Sequence, residues 1–177
     1  ADVPVTVAAV DISRQERETT SDFTRVTTTV ELAGPGPDGE TVTGRGEDVT
    51  YDTDHHDALA ETGPPDCTGE YTIDSFSASI GETDLFPGDP PDREVFRNYR
   101  RWAFESAALD LALRQTETDL ATAVGRSYDP VRFVVSTRLG EPPTLDRIDT
   151  LLDYTPTLAF KLDPIPAWDS AVIDGLV

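Results

Sequence analysis

The residues best suited to chemistry lie in one strand-like segment near the end of the chain. Lys161 is the only lysine among 177 residues, and Asp163 follows two positions later. Side chains two apart on a β-strand share a face, so the ammonium and the carboxylate should lie side by side. A lysine can act as a general base when nearby positive charge and burial favour its neutral form. Asp163 opposes that effect, so the pair fits either a weakened base or a strand-end ion pair.

Two other patterns suggest sites but fit structural roles better. The adjacent residues His55 and His56 could bind a metal, yet adjacent side chains point about 100° apart on a helix and seldom share an ion. We therefore predict an exposed helix start there and no metal site. The glycine-rich run 34–39 resembles a phosphate loop, but a strand follows it, and a phosphate site requires a helix N-terminus.

The first half of the chain is predicted to consist mainly of β-strands. Period-two alternation and β-branched residues predict strands over Val3–Ile12, Phe23–Leu32 and Glu40–Thr50. A polar loop, Ser13–Asp22, separates the first two strands, and the turn at 34–39 separates the last two. These segments predict a three-stranded antiparallel meander.

Helices follow the predicted meander. Asp54 is expected to cap a short helix over His55–Glu61, and a long amphipathic helix is expected to start at Asp92. The arginines of this helix mostly lie off its apolar stripe: Arg97, Arg100, Arg101 and Arg114. The predicted apolar stripe, spaced alternately by four and three residues, comprises Val95, Tyr99, Trp102, Ser106, Leu109 and Leu113, and it is flanked by Phe96, Ala103, Ala107 and Ala108.

The last third of the chain alternates strands with helices. Strands are predicted over Val131–Ser136 and Thr157–Leu162, with helices over Leu145–Leu152 and Trp168–Val177. Two strands joined through a helix imply parallel pairing. Two parallel strands cannot close a barrel, so we expect the sequence to be the front part of a larger, incomplete fold.

Composition excludes several functional classes. The chain has 34 acidic and 14 basic residues, a net charge of −20, which disfavours binding to nucleic acid or anionic membranes. No apolar run is long enough to span a bilayer and no signal peptide is recognisable, so we expect a cytoplasmic location. The lone Cys67 cannot form an internal disulfide. Arginine replaces lysine almost throughout, a composition typical of halophilic archaea.

Four motifs, taken in order, resemble the enolase superfamily, in its mandelate racemase and muconate lactonizing enzyme branches. The segment 44–47 resembles the G-x-G-E that ends a capping-domain strand. The segments 103–112 and 118–125 resemble the family's A-x-E-x-A-x-x-D-L helix and the P-L-x-x-L-L-G that follows. The segment 160–163 lies where the second barrel strand carries K-x-K. Here the second lysine is replaced by Asp163.

The resemblance implies both a fold and an activity. Residues 1–125 would form an α+β capping domain of a three-stranded antiparallel meander plus a helical bundle, and residues 126–177 would be the first βα units of a (β/α)8 barrel. The implied reaction is that of an isomerase or lyase: a base abstracts the proton next to a carboxylate while Mg²⁺ stabilises the enediolate. The Mg²⁺ ligands would lie beyond the end of this chain.

The resemblance also assigns site residues and partners. It implies catalytic roles for Lys161 and Asp163, and contact between the small carboxylate substrate and a capping-domain loop that carries Arg14 and Arg17. A homo-oligomer is one option within this family. The alternative hypothesis is a non-catalytic relative, in which K-x-D marks loss of the base. Such a protein would bind an acid metabolite or act only as an assembly partner.

Overall fold

The computed structural model describes residues 2–19 and 23–176, and the chain divides into two compact units, residues 1–127 and 128–177. Among the described residues, no helix combines the length and the apolar character needed to cross a membrane. Each unit has its own β-strands and helices.

A three-stranded antiparallel sheet forms the centre of the N-terminal unit, as predicted. It consists of β2 (Ala9–Glu18), β3 (Thr24–Pro35) and β4 (Thr41–Asp48), in the order β2-β3-β4. Alternate residues of β3 are buried on one face, and these include Val30 and Leu32. The period-two pattern in the sequence is therefore the pattern of burial.

The start of the chain differs from the prediction. The segment 3–12 is not one strand: β1 (Pro4–Val7) pairs with β5 (Gly69–Thr72), and the chain changes sheets before β2 begins. The predicted loop Ser13–Asp22 is also wrong for most of its length, because β2 continues to Glu18. Residues 13–18 pair with 24–29 of β3, where β-branched side chains favour a strand despite the polar sequence opposite. The rest of that loop, residues 20–22, lies outside the described residues.

The described part of the N-terminal unit also contains four helices: α1 (Thr53–Thr62), α2 (Ile73–Gly81), α3 (Glu94–Gln115) and α4 (Leu120–Ala123). Helix α1 begins before the predicted start, because Asp52 and not Asp54 is its N-cap. Helix α2 was not predicted. A capping box between Thr72 and Ser75 fixes its first turn.

Helix α3 packs against the sheet through a different face from the predicted one. Gly44 and Gly46 of β4 allow its backbone to approach closely, since a Cβ on either glycine would overlap backbone atoms of α3. The closest approaches involve the backbone of Ala103 and Ala107, so α3 presents small side chains to this part of β4. The buried face consists of Phe96, Arg100, Ala103, Phe104, Ala107, Ala108, Leu111 and Ala112.

The predicted apolar stripe of α3 therefore faces outward, and we call it the outer stripe (Val95, Tyr99, Trp102, Ser106, Leu109 and Leu113). Val95 is 37% exposed and Trp102 is 55% exposed. Cys67 lies instead in the core cluster that α3 forms with β1, β3 and α2, with only 5% of its surface exposed.

The C-terminal unit contains two strands and two helices among its described residues. They are β6 (Val134–Thr137), α5 (Asp146–Tyr154), β7 (Ala159–Leu162) and α6 (Ser170–Gly175). Strands β6 and β7 pair in parallel, as predicted. The hydrophobic core here is small: of the described residues in this unit, only Leu139 and Ile148 are buried hydrophobics.

Candidate functional site

The structure places Lys161 and Asp163 together on the surface. Lys161 Nζ donates a hydrogen bond to Asp163 Oδ1 at 3.2 Å, and the two side chains are 63% and 61% exposed. Lys161 lies opposite Ser136 in the register of β6 and β7. An ion pair this exposed is screened by water and contributes little to stability. The catalytic roles of both residues, and the magnesium ion, stay predictions.

Arg14 and Arg17 do not converge on one site. Both lie within β2 and not in a loop, and residues three apart on a strand point to opposite faces. Arg14 Nε donates to Asp57 Oδ1 of α1 at 2.6 Å, and Nη1 donates to Glu16 Oε2 at 2.9 Å. These hydrogen bonds, first to Glu16 and then to Asp57, raise the pKa of Arg14. Its guanidinium is therefore occupied by the protein's own carboxylates.

Arg17 lies directly opposite Arg25 in the β2–β3 register. Arg25 is held in place, because Nη2 donates to the Val49 carbonyl at 2.5 Å and the guanidinium lies 4.4 Å from the centre of the Tyr51 ring. Like charges in directly opposite positions destabilise a strand pair. Arg17 and Arg25 thus place two like charges side by side at this end of the sheet, with Glu16 and Glu18 next to Arg17 in the chain.

A buried polar network centred on Arg100 was not predicted. Arg100 Nε donates to Asp48 Oδ2 at 2.7 Å, and its two terminal nitrogens donate to the carbonyls of Leu85 and His55, each at 2.9 Å. The guanidinium also lies 4.1 Å from the centre of the Phe86 ring. Arg100 and Asp48 are both fully buried. One side chain thereby connects α3 to β4, to α1 and to the loop after α2.

His56 belongs to the same network and is fully buried, which corrects the expectation of an exposed helix start. Its Nε2 lies 2.9 Å from the Thr50 carbonyl oxygen, which can only accept, so Nε2 carries the proton. Its Nδ1 then accepts from Thr28 Oγ1 at 2.8 Å. Burial is the largest influence on the pKa of His56 and lowers it, and the charges of Arg100 and Arg25 add to that effect. Burial therefore favours the neutral form of His56.

The network is saturated with hydrogen bonds. Across the described part of the chain, every buried side-chain nitrogen or oxygen has a hydrogen-bond partner. No group of three or more metal-binding side chains occurs in residues 2–19 and 23–176. Each described polar side-chain atom of the network therefore has a partner within the protein, which fits a structural role.

One sequence signal could have revealed Arg100. It lies four residues after Phe96 and four before Phe104, both of which are buried, so it shares their face of α3. An arginine flanked in this way must be buried with a partner if the two aromatic residues are in the core. The spacing of Phe96, Arg100 and Phe104 is easily overlooked, because the outer stripe has a more regular repeat along the same helix.

Two surface cavities contain none of the predicted site residues. One, of about 360 Å³, lies beside Asp84, Phe86 and Arg97. The other, of about 510 Å³, lies along the β1–β5 pair beside Thr6 and Tyr71. Since no described buried polar side chain lacks a partner, neither cavity receives a free buried donor or acceptor.

The C-terminal unit exposes a run of large apolar side chains, which we call the apolar segment (residues 131–134). Val131 is 73% exposed, Phe133 is 78% exposed and Val134 is 55% exposed. The sequence predicts a strand over Val131–Ser136, whereas the observed strand begins at Val134. The exposure of Val131, Phe133 and Val134 shows that the described part of the unit leaves this segment uncovered.

Sequence comparisons cover both units. A family model with the description "Domain of unknown function (DUF8230) N-terminal domain" matches residues 1–123, and one with the description "Domain of unknown function (DUF8230) C-terminal domain" matches residues 127–177. No curated protein matches the chain. No solved structure matches it either.

These matches correct the expected fold class. We expected an enolase-like capping domain followed by the first βα units of a (β/α)8 barrel. Residues 127–177 instead match a C-terminal domain that accompanies the N-terminal domain of the same family. The prediction failed because a strand, a helix and a parallel strand occur in many α/β arrangements, so this order does not single out a barrel.

Proposed function

Because the chain belongs to the DUF8230 family of domains of unknown function, we propose a function from the surface that it presents. The protein is an assembly module, and its C-terminal unit binds an extended, acidic segment of a partner protein along the free edge of β6. The observation that carries this proposal is the exposure of the apolar segment.

The backbone of β6 supports strand addition. Within the described residues β6 pairs with β7 alone, so one edge of a four-residue strand has no neighbour. An edge strand presents unpaired N–H and C=O groups to which an extended peptide can add. Two-stranded sheets are marginally stable by themselves, so a third strand would also stabilise the unit.

The apolar segment would supply the affinity. Complete burial of a valine or phenylalanine side chain is worth about 1.5–3 kcal/mol. Three such side chains, Val131, Phe133 and Val134, are more than half exposed within four consecutive residues. Exposed apolar residues that are contiguous mark interaction sites more often than scattered ones do.

Charge selects the kind of partner. Between Asp129 and Glu141 the only charged residues are Arg132 and Arg138, both exposed, so this stretch is basic in a chain of net charge −20. Acidic side chains on a partner strand would complement these arginines. Nucleic acid is a poorer candidate, because the protein as a whole repels it.

A designed peptide tests the proposal. The probe is a fluorescein-labelled peptide of alternating threonine and valine with two aspartates at each end, and the comparison peptide has lysines in place of the aspartates. Fluorescence anisotropy is measured at the lowest salt concentration at which circular dichroism shows the chain to be folded. The aspartate peptide should bind saturably, and Phe133→Ser should weaken this binding about tenfold.

Charge reversal provides the control. The double variant Arg132→Glu/Arg138→Glu should no longer bind the aspartate peptide and should bind the lysine peptide instead. The matched variant Arg126→Glu/Arg147→Glu makes the same change at two exposed arginines outside the stretch, and its preference should stay that of the wild type. Failure of the wild type to bind the aspartate peptide, or equal preferences in the two double variants, would overturn the proposal.

A further inference from the structure

Apart from Tyr99, which packs against the edge of the core, the outer stripe of α3 is an apolar surface that the N-terminal unit leaves partly or largely exposed. Tyr99, Leu109 and Leu113 are half-buried, whereas Val95 and Trp102 are 37% and 55% exposed. The Tyr99 and Trp102 rings contact each other, with centroids 5.9 Å apart. The stripe thus forms a continuous apolar ridge along the outside of the helix.

The opposite face of α3 already forms the core. Phe104, Ala107 and Leu111 have no exposed surface, and Gly44 and Gly46 bring the sheet backbone against them. A surface helix with a single neighbour has one apolar face and one polar face. An apolar residue at five of six outer positions is instead typical of a helix with a neighbour on each side.

The spacing of the outer stripe indicates that the second neighbour is also a helix. Intervals of four, three, four, three and four residues match the repeat of a coiled-coil seam, in which each side chain inserts between those of a facing helix. A β-strand or a flat surface does not require this repeat.

We propose that the second neighbour is α3 of another copy of this chain, packed antiparallel through the outer stripe. A symmetric antiparallel register places Val95 opposite Leu113 of the partner subunit and Trp102 opposite Ser106 of the partner subunit. The one small residue of the stripe then faces its largest one. The Ser106 hydroxyl can also accept a hydrogen bond from the indole N–H, which needs a partner once it is buried.

Charge favours the antiparallel orientation. Apart from the buried Arg100, the charged residues of the first half of α3 are Glu94, Arg97 and Arg101, with a net charge of +1, and those of the second half are Glu105, Asp110 and Arg114, with a net charge of −1. An antiparallel pair brings the basic start of each helix near the acidic end of the other, and a parallel pair brings like charges together. The helix dipoles oppose each other favourably in the same orientation.

The length of the α3–α3 contact determines how tightly we expect the two copies to associate. Helix α3 has 22 residues and is about 33 Å long. A single helix pair of this length lies at the small end of specific interfaces, so the dimer should be reversible. The charge of −20 on each copy opposes association at low salt. The dimer should therefore be measured near 1 M NaCl, where the Debye length is about 3 Å.

Sedimentation equilibrium of the full chain, from about 1 to about 500 μM, tests the proposal. The wild type should pass from monomer to dimer over this range. Trp102→Ser should raise the dissociation constant at least about tenfold, because it removes the largest buried side chain. Tyr51→Ser is the control, since it removes an aromatic side chain that is 68% exposed elsewhere in the same unit.

A size swap tests the register. Ser106→Trp alone should weaken the dimer, because two tryptophans would then face each other. Combining it with Trp102→Ser restores one large and one small residue at each contact, so the double variant should recover the wild-type dissociation constant to within about threefold. Far-UV circular dichroism confirms that each variant is folded.

Three outcomes would overturn the inference. The wild type could remain a monomer at every concentration, Trp102→Ser could dimerise as well as the wild type, or the double variant could stay as weak as the single ones. The inference does not rest on strand addition at β6. Loss of peptide binding in the Phe133→Ser variant leaves it unaffected.

Discussion

Arg100 and Asp48 form a 2.7 Å ion pair that is completely excluded from solvent and joins the middle of α3 to the last residue of β4. The other oxygen of Asp48 accepts from the backbone N–H and the hydroxyl of Thr50, at 3.0 and 2.7 Å. Each terminal nitrogen of Arg100 also donates to a backbone carbonyl. The pair is therefore fully satisfied, and removal of either member leaves a buried charge without its counterion.

Replacing Arg100 with methionine should lower the free energy of unfolding by about 3–5 kcal/mol, because Asp48 would stay buried without a counterion. Urea denaturation measures the change. Arg45→Met is the control in the same unit: it removes the exposed ion pair with Glu31 and should have a much smaller effect.

The double variant Asp48→Leu/Arg100→Met tests whether the two residues are energetically coupled. It should be less destabilised than the sum of the two single variants, because it leaves no unpaired charge. Additive effects would show that the pair is not coupled.

The stability of the N-terminal unit should fall as the pH is lowered through the range in which histidine protonates. Burial lowers the pKa of His56, so the unfolded chain takes up this proton more readily than the folded one. The stabilising effect is complete above the unfolded value of about 6.5 and is lost progressively below it. Besides Arg100 and Arg25, Asp48 faces the ring, with Oδ2 3.9 Å from Nδ1, and it offsets part of the shift.

Melting temperatures between about pH 5 and 8 test the His56 prediction. His56→Gln retains one donor and one acceptor, and it should remove most of the decline at low pH. His55→Gln should retain that decline. An equal slope in the wild type and in His56→Gln would contradict this explanation.

Salt should stabilise the whole chain. A net charge of −20 repels itself when the Debye length is about 10 Å, near 0.1 M salt, and much less when it is about 3 Å, near 1 M. We expect the melting temperature to rise steadily with NaCl over this range and folding to need molar salt. A melting temperature that does not change with salt would refute this prediction.

The sheet of the N-terminal unit and the parallel pairing of β6 and β7 were predictable, because period-two alternation and turn residues are local signals. The sheet partner of β1 was not. It lies more than 60 residues away in β5, and four-residue strands carry too little pattern to specify a partner.

The orientation of α3 shows a second limit. The outer stripe has the stronger periodicity, yet Gly44 and Gly46 favour burial of the face that carries Ala103 and Ala107, because the helix backbone comes close to both glycines there. Those two glycines were interpreted through a family motif. The structure gives them a packing role that a comparison of the strand with the helix could have suggested.

The candidate sites were also predictable only in part. The proximity of Lys161 and Asp163 was predictable from their spacing, since residues two apart share a strand face. The separation of Arg14 from Arg17 was not, because it depends on β2 extending through the predicted loop. The exposure of Phe133 was also missed, since residue type alone does not reveal what covers a strand.

The buried thiol of Cys67 can report how often the core of the N-terminal unit opens to solvent. Burial, and to a lesser extent the charge of Asp66, raises the pKa of this thiol to about 11, so it reacts slowly with alkylating reagents while the core stays closed. It is the only thiol in the chain. The rate at which iodoacetamide modifies the native protein therefore measures how often the interior around α3 opens to solvent, with no engineered label.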